Sequence, residues 1–232
     1  MNAYLIRTLG PPTTVSGTSF FEYFLPLMVI LGDIIDVHHY RHHPRFGAIN
    51  SRAVSVIEEM ILNCEQSLEQ FALVTGLGDS EITTTEDDDR AKSRMQLVIK
   101  YSTHILHVLQ VLLHGKWDAI SMLDNHDDWI TTAGFPKCAS HAIAASEVVS
   151  TILKLDPELT FMPYLFGIYL LHGSFILLLF ADRMPQLGSN QSVEQACETI
   201  IRAHEVCVVT LSTEFQVQPH FHHPGPKLQR PM

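Results

Sequence analysis

The chain has 232 residues, 46% of them hydrophobic and 17% charged. That length and apolar content allow a substantial core and exclude wholesale disorder. With 25 acidic residues against 15 basic ones, a formal net charge of −10 and no sustained basic stripe, a surface that grips DNA through its phosphates is excluded as well.

The N-terminal stretch MNAYLIRTLGPPTTVSG lacks the apolar core and cleavage site of a signal peptide and reads as a helix end entering a turn. Pro11, Pro12 and Gly17 break the chain, and Thr18 or Ser19 can cap a first helix over about residues 20–43. Phe20, Phe24, Leu27, Ile30, Ile34 and Ile35 make that helix apolar round much of its circumference, and Pro26 implies a kink or a late start. A second, amphipathic helix is expected over about residues 51–73, through Val54, Ile57, Ile61, Leu62, Leu68 and Phe71. Gly76 to Asp89 is polar and acidic and reads as a projecting loop. A third helix follows over about residues 90–115, with Asp87 to Asp89 suiting its N-terminal dipole. The fourth, about residues 136–154, is rich in the small residues that let helices approach closely, among them Ala142, Ala145 and Ser146.

The fifth helix, about residues 161–182, has no full charge from Phe161 to Ala181 and is nominally long enough to span a bilayer. Pro163, Gly167, His172 and Gly173 interrupt that stretch, and no Lys/Arg-rich flank fixes an orientation, so it reads instead as a core helix buried on all sides. The sixth, about residues 193–214, opens after Ser192 with a capping box to Gln195. Pro219, Pro224, Gly225, Pro226 and Pro231 forbid its extension, so residues 217–232 are expected to form a disordered Pro/His-rich tail. With no alternating strands and no internal repeat, the fold class is all-α, one helical domain over residues 1–216.

Chemistry-bearing groups are sparse. Cys64, Cys138, Cys197 and Cys207 are widely spaced in apolar contexts with no C-x-x-C pair, and are expected to be buried reduced thiols. His38/His42 and His39/His43 have the i,i+4 spacing of zinc ligands, with Asp33 and Asp36 upstream. The plainer reading is that these imidazoles and Arg41 complement a helix C-terminus, and no metal is expected. His104, His107 and His114 are expected to be buried or half-buried and hydrogen-bonded. Ser174, His172 and Asp182 lie in no nucleophile elbow, and no phosphate loop or H-E-x-x-H motif occurs, so the chain is not expected to be an enzyme. Ser80, Thr83, Thr84 and Thr85, set among carboxylates, could accept phosphate, although a plain surface insertion explains them as well. Asp127 and Asp128 beside Trp129, with Asp118 and Asp124 upstream, form a candidate ligand rim, since sugar faces stack on indole and hydroxyls bond carboxylates. A solvated loop with Trp129 tucked onto the core is the competing reading.

The stretch from Tyr101 to Phe135, YSTHILHVLQVLLHGKWDAISMLDNHDDWITTAGF, is the most distinctive of all. Ile105, Leu106, Val108, Leu109, Leu112 and Leu113 recur at helical spacing, and a Trp-bearing turn, Lys116 to Asp118, follows. Together with Tyr4 to Gly47 and Pro136 to Gln216, this wording closely resembles the regulatory region of fungal xylanolytic transcriptional activators, zinc binuclear cluster factors; Ala48 to Lys100 resembles it more loosely. The resemblance implies a nuclear, all-α regulatory region that controls xylanase and cellulase genes in response to a sugar-derived inducer. It would work through intramolecular and protein–protein contacts that hide or expose activating surface. Its implied partners are other segments or copies of the activator and transcriptional coregulators, with no direct nucleic-acid contact and no membrane. No cofactor is expected here, because zinc belongs to a six-cysteine DNA-binding module that this sequence lacks. The tail beyond Phe215 and Gln216 departs from the family's continuation, so the chain reads as a truncated copy. A sugar-sensing module and a non-functional remnant are the alternatives. The apolar surfaces of the first and fifth helices are expected to be completed by further segments, leaving the chain alone prone to associate.

Overall fold

The computed structural model describes residues 13–42, 51–74, 86–117, 120, 128–161, 163–187 and 190–217. They form six α-helices: α1 (Phe20–His42), α2 (Ser51–Val74), α3 (Glu86–His114), α4 (Gly134–Leu155), α5 (Pro163–Leu187) and α6 (Gln191–Val217). A 3-10 turn at Asp128–Thr131 precedes α4, and no strand occurs among the described residues, so the fold is all-α. Residues 75–85 and 218–232, where the acidic loop and the Pro/His-rich tail are expected, lie outside the described residues.

Each helix begins where local chemistry permits. Ser19 stands at the start of α1, where its carbonyl accepts the Tyr23 N–H (3.2 Å) and the Glu22 carboxylate reaches back to its N–H (3.0 Å), the glutamate half of a capping box. Pro26 does not break this helix. It has no N–H to offer the Glu22 carbonyl one turn back, and that carbonyl accepts the Ser16 N–H instead, at 3.2 Å. α3 starts at Glu86, so residues 86–89 are helix rather than the end of a loop. At α6 the cap is Asn190 rather than Ser192. The Asn190 side-chain oxygen accepts the Ser192 and Val193 N–H groups at 3.1 and 3.4 Å, and its carbonyl accepts Glu194 N–H at 3.0 Å. Asn and Ser cap about equally well, so composition alone could not choose between them.

α3 is the centre of the bundle. α1 and α2 pack on it and on each other, as do α4 and α5, and α6 closes against α4 and α5. α1 meets α5 through Tyr169, whose ring lies 6.3 Å from that of Phe24, and α2 meets α4 through the Lys137–Glu58 bond, so from Tyr101 to Leu113 only the stripe of Thr103, His107 and Gln110 on α3 is left partly open. Tyr101, Ser102, His104, Ile105, Leu106, Val108, Leu109, Val111, Leu112 and Leu113 are all buried. Glycines set how closely α5 approaches its neighbours. A Cβ on Gly167 would lie 3.1 Å from the Cys207 sulfur of α6, and one on Gly173 would lie 3.1 Å from a Val108 methyl of α3.

The expectation that α5 is buried on all sides is corrected. Phe166, Leu170, Ile176 and Leu177 face the core, but Tyr164, Ile168, Leu171 and Leu178 are exposed. An apolar circumference carries no directional signal, so only the neighbours decide which side is covered. Among the described residues no helix is long and apolar enough to cross a membrane.

The link from α4 to α5 is built on one carboxylate. Buried Asp156 accepts the Thr160 N–H and hydroxyl on one oxygen (both 3.0 Å) and the Phe161 N–H (3.0 Å) and Tyr101 hydroxyl (3.1 Å) on the other. Such saturation offsets the cost of burying a polar group. Leu159 in this link adopts φ 51°, a left-handed conformation costing about 1 kcal/mol for a side chain with a Cβ, and its full burial offsets that cost.

Candidate functional site

The distinctive Tyr101–Phe135 stretch ends where four helices converge at the C-terminus of α3. The last carbonyls of a helix lack intrahelical partners, and here other elements supply them. Gly115 N–H donates to Val111 O (2.7 Å), Trp117 Nε1–H to Leu112 O (2.8 Å), and Arg41 Nη1 from α1 to Leu113 O (3.3 Å). The buried Cys138 thiol also points at Val111 O, at 3.6 Å. The His38 imidazole stacks on the Trp117 indole, with centroids 4.0 Å apart and planes within 7°. Arg41 therefore does complement a helix C-terminus, but that of α3 and not that of its own helix.

Beside this cap lies a charged cluster. Glu58 of α2 accepts Lys137 Nζ of α4 at 2.7 Å and faces His114 Nε2 of α3 at 3.2 Å. The Lys137 hydrogen bond holds the Glu58 carboxyl below its usual range. Burial, with Lys137 adding to it, pushes His114 toward the neutral form. Further along the α3–α4 contact, His107 Nδ1 and His141 Nδ1 face each other at 3.2 Å, one donating and the other accepting. Burial and the neighbouring ring lower His107 to about 4, and burial with Lys137 lowers His141. His104 lies deeper. One ring nitrogen is 3.3 Å from the Ala145 carbonyl, which can only accept, so Nδ1 carries the proton. Its Nε2 is buried with no partner among the described residues, and burial drops its pKa to about 4.

These groups order helices and do not assemble a reaction centre. Among the described residues no set of three or more His, Cys, Asp or Glu side chains is placed to hold a metal ion. His43 is outside the described residues, and the His38 ring is engaged by Trp117. Cys64 and Cys138 are buried and their thiols are pushed up to about 12, while burial also raises Cys197 and Cys207, so none is an activated thiolate. The buried Ser174 hydroxyl donates to Leu171 O of its own helix at 2.8 Å. His172, two residues away on the same helix, projects to a different side, and Asp182 is exposed, so the three are not brought together.

The candidate ligand rim is only partly described. Asp118, Asp124 and Asp127 lie outside the described residues, and of Asp128 the backbone alone is described, opening the 3-10 turn. Trp129 is half-buried, edge-on to Phe135 at 5.2 Å, with Lys116 Nζ 5.9 Å from its ring centroid. An open groove of about 660 Å³ lies between the Pro157–Thr160 link and α6, with Val206 and Val209 among its lining and Glu158 and Glu205 beside them. The Asp156–Tyr101 bond and the His107–His141 pair escape sequence reading, because each joins residues on different helices. Only the Asp156-Pro157 start of the link hints at the first.

Over 240 aligned residues the chain is 44% identical to the xylanolytic transcriptional activator xlnR of Aspergillus niger, an alignment that covers 90% of this chain and 25% of the relative. The Emericella nidulans protein of the same name is 42% identical over 238 residues, 90% of this chain and 26% of that protein. That of Aspergillus oryzae is 44% identical over 240 residues, again 90% of this chain and 25% of the relative. The chain thus spans about a quarter of the length of the curated relatives it matches. No family model and no solved structure matches it. The relatives are named as transcriptional activators, not as enzymes. Along nine-tenths of its length, therefore, this chain is homologous to a region of the fungal xylanolytic transcriptional activators.

Proposed function

We propose that the chain is a regulatory, non-DNA-contacting region of a nuclear activator of xylanolytic and cellulolytic genes, working through contacts with other segments or copies of the activator and with coregulators. The 44% identity along 90% of the chain to proteins named for that activity carries the reading. The net charge of −10 supports protein contact over phosphate contact. Such a region acts by biasing a two-state equilibrium between masked and exposed activating surface. The test is to fuse the chain to a heterologous DNA-binding domain and measure a reporter with and without xylose. The expected result is output that differs from the DNA-binding domain alone. Unchanged output, or duplex DNA bound by the isolated chain, overturns the reading.

A second reading, inducer binding at Asp127, Asp128 and Trp129, is favoured by the half-buried indole beside Lys116. Fluorescence titration with pentoses tests it, comparing the parent chain with Trp129→Phe so that the Trp117 signal is subtracted. A saturable change lost in the variant is expected, and an unchanged spectrum at millimolar sugar contradicts it.

A further inference from the structure

The groove between the Pro157–Thr160 link and α6 differs in charge from two other grooves of the fold. Its walls are apolar at Pro157, Val206 and Val209, with carboxylates at Glu158 and Glu205 and no Lys or Arg in the lining. The groove between α4 and α6 sets Lys154 beside Glu147, and that between α1 and α2 sets Arg52 beside Asp33 and Asp36. Glu158, Glu205 and Val209 are exposed, and neither glutamate has a cation within ion-pair distance among the described residues. The Thr210 hydroxyl donates to the Glu158 carbonyl, which ties the link to α6 and holds the two walls in place.

We propose that residues 218–232 of this same chain fold back into that groove, with Leu228 against Val206 and Val209 and with Lys227 and Arg230 at Glu158 and Glu205. Charge selects the occupant. In a chain of net charge −10, residues 218–232 hold Lys227, Arg230 and three histidines and no Asp or Glu. The other acid-free stretches with a cation outside the described residues, 1–12 and 43–50, have one Arg each and join α1 and α2, which do not pack against α6. Reach permits the contact. α6 ends at Val217, and at a rise of ~1.5 Å per residue Thr210 and Glu205 lie only about 10 and 18 Å back along it. The ten residues from Val217 to Lys227 can extend to ~33 Å, which leaves length for the reversal. Pro219 and the prolines after it bar the helical continuation that would carry the segment away from the groove. Tethering on this scale gives a local concentration on the order of millimolar, enough to make a contact between exposed charges effective. The groove is thereby held against other basic segments, whichever genes the chain serves.

Cysteine pairs introduced into the full chain read this contact without any promoter. Under mild oxidation, Val209→Cys with Leu228→Cys should close a disulfide within one chain at least about fivefold faster than Val208→Cys with Leu228→Cys. Val208 is as exposed as Val209, at 61% against 65%, and lies one residue from it along α6, but it is not part of the groove lining. Of the native thiols Cys64, Cys138 and Cys207 are buried and Cys197 half-buried, so they compete little. Adding Lys227→Glu and Arg230→Glu should bring the two rates together. Because Val208 and Val209 are already exposed, circular dichroism should show every variant folded. Equal rates for the two pairs overturn the proposal, as does a preference that survives charge reversal. Disulfides that join two chains instead of closing within one overturn it as well and give the groove to another copy.

Discussion

α3 and α5 are both apolar helices, and the less apolar of the two is the one that is enclosed. α3 carries Tyr101, Ser102, His104 and His107 within its central turns, yet its side chains from Tyr101 to Leu113 are almost all buried. α5 has no charge over its first five turns, yet one whole side of it is open. Position within the bundle decides burial. α3 touches α1, α2, α4 and α5, whereas α5 touches α3, α4, α6 and one edge of α1. Enclosure commits each polar group of α3 to a specific partner or leaves it as a cost, while openness leaves α5 a surface to use.

Acid should break the enclosed region first. His104 and His107 titrate at about 4 in the fold, below the ordinary 6.5, so the unfolded chain takes up protons before the folded one does. Their neutral burial is fully compatible with folding above about pH 6.5, and stability falls as pH drops from there toward 4, by on the order of 3 kcal/mol per ring. Urea midpoints measured at pH 7 and pH 5 should differ accordingly, and a flat profile would show that these rings are solvated.

Core truncation sharpens the same contrast. Leu109→Ala in α3 should cost about 3 kcal/mol, whereas Leu178→Ala in α5 should change the stability of the dilute chain by only about 0.5 kcal/mol or less. Equal costs in chemical denaturation would mean that α5 is as enclosed as α3. Asp156→Ala should cost about 2 kcal/mol, because it leaves the Tyr101 hydroxyl and the Thr160 and Phe161 N–H groups without their acceptor. Tyr101→Phe, which keeps the carboxylate and its other donors, should cost about half as much. Asn190→Ala should cost about 1 kcal/mol through loss of the α6 cap, with Ser192→Ala smaller. The reverse order in thermal melts would restore Ser192 as the cap.

Much of the helical framework can be read in the sequence, because caps, prolines and apolar spacing act locally. The expected helices match those observed to within a few residues, and the apolar positions from Ile105 to Leu113 are buried as their spacing implies. What the sequence conceals are relations between helices. Nothing near Arg41 indicates that it reaches the Leu113 carbonyl, and nothing near His107 indicates His141. The open side of α5 is concealed for the opposite reason, since a helix apolar all round gives no direction to its burial. The rim at Asp127, Asp128 and Trp129 was legible only as composition, and the structure describes one of its side chains.

Amide hydrogen exchange of the dilute chain tests the contrast between α3 and α5 most directly. Residues 101–113 of α3 should exchange slowest, and residues 164–178 of α5 should exchange faster. Protection of α5 equal to that of α3 would contradict the account of α5 as a helix open on one side.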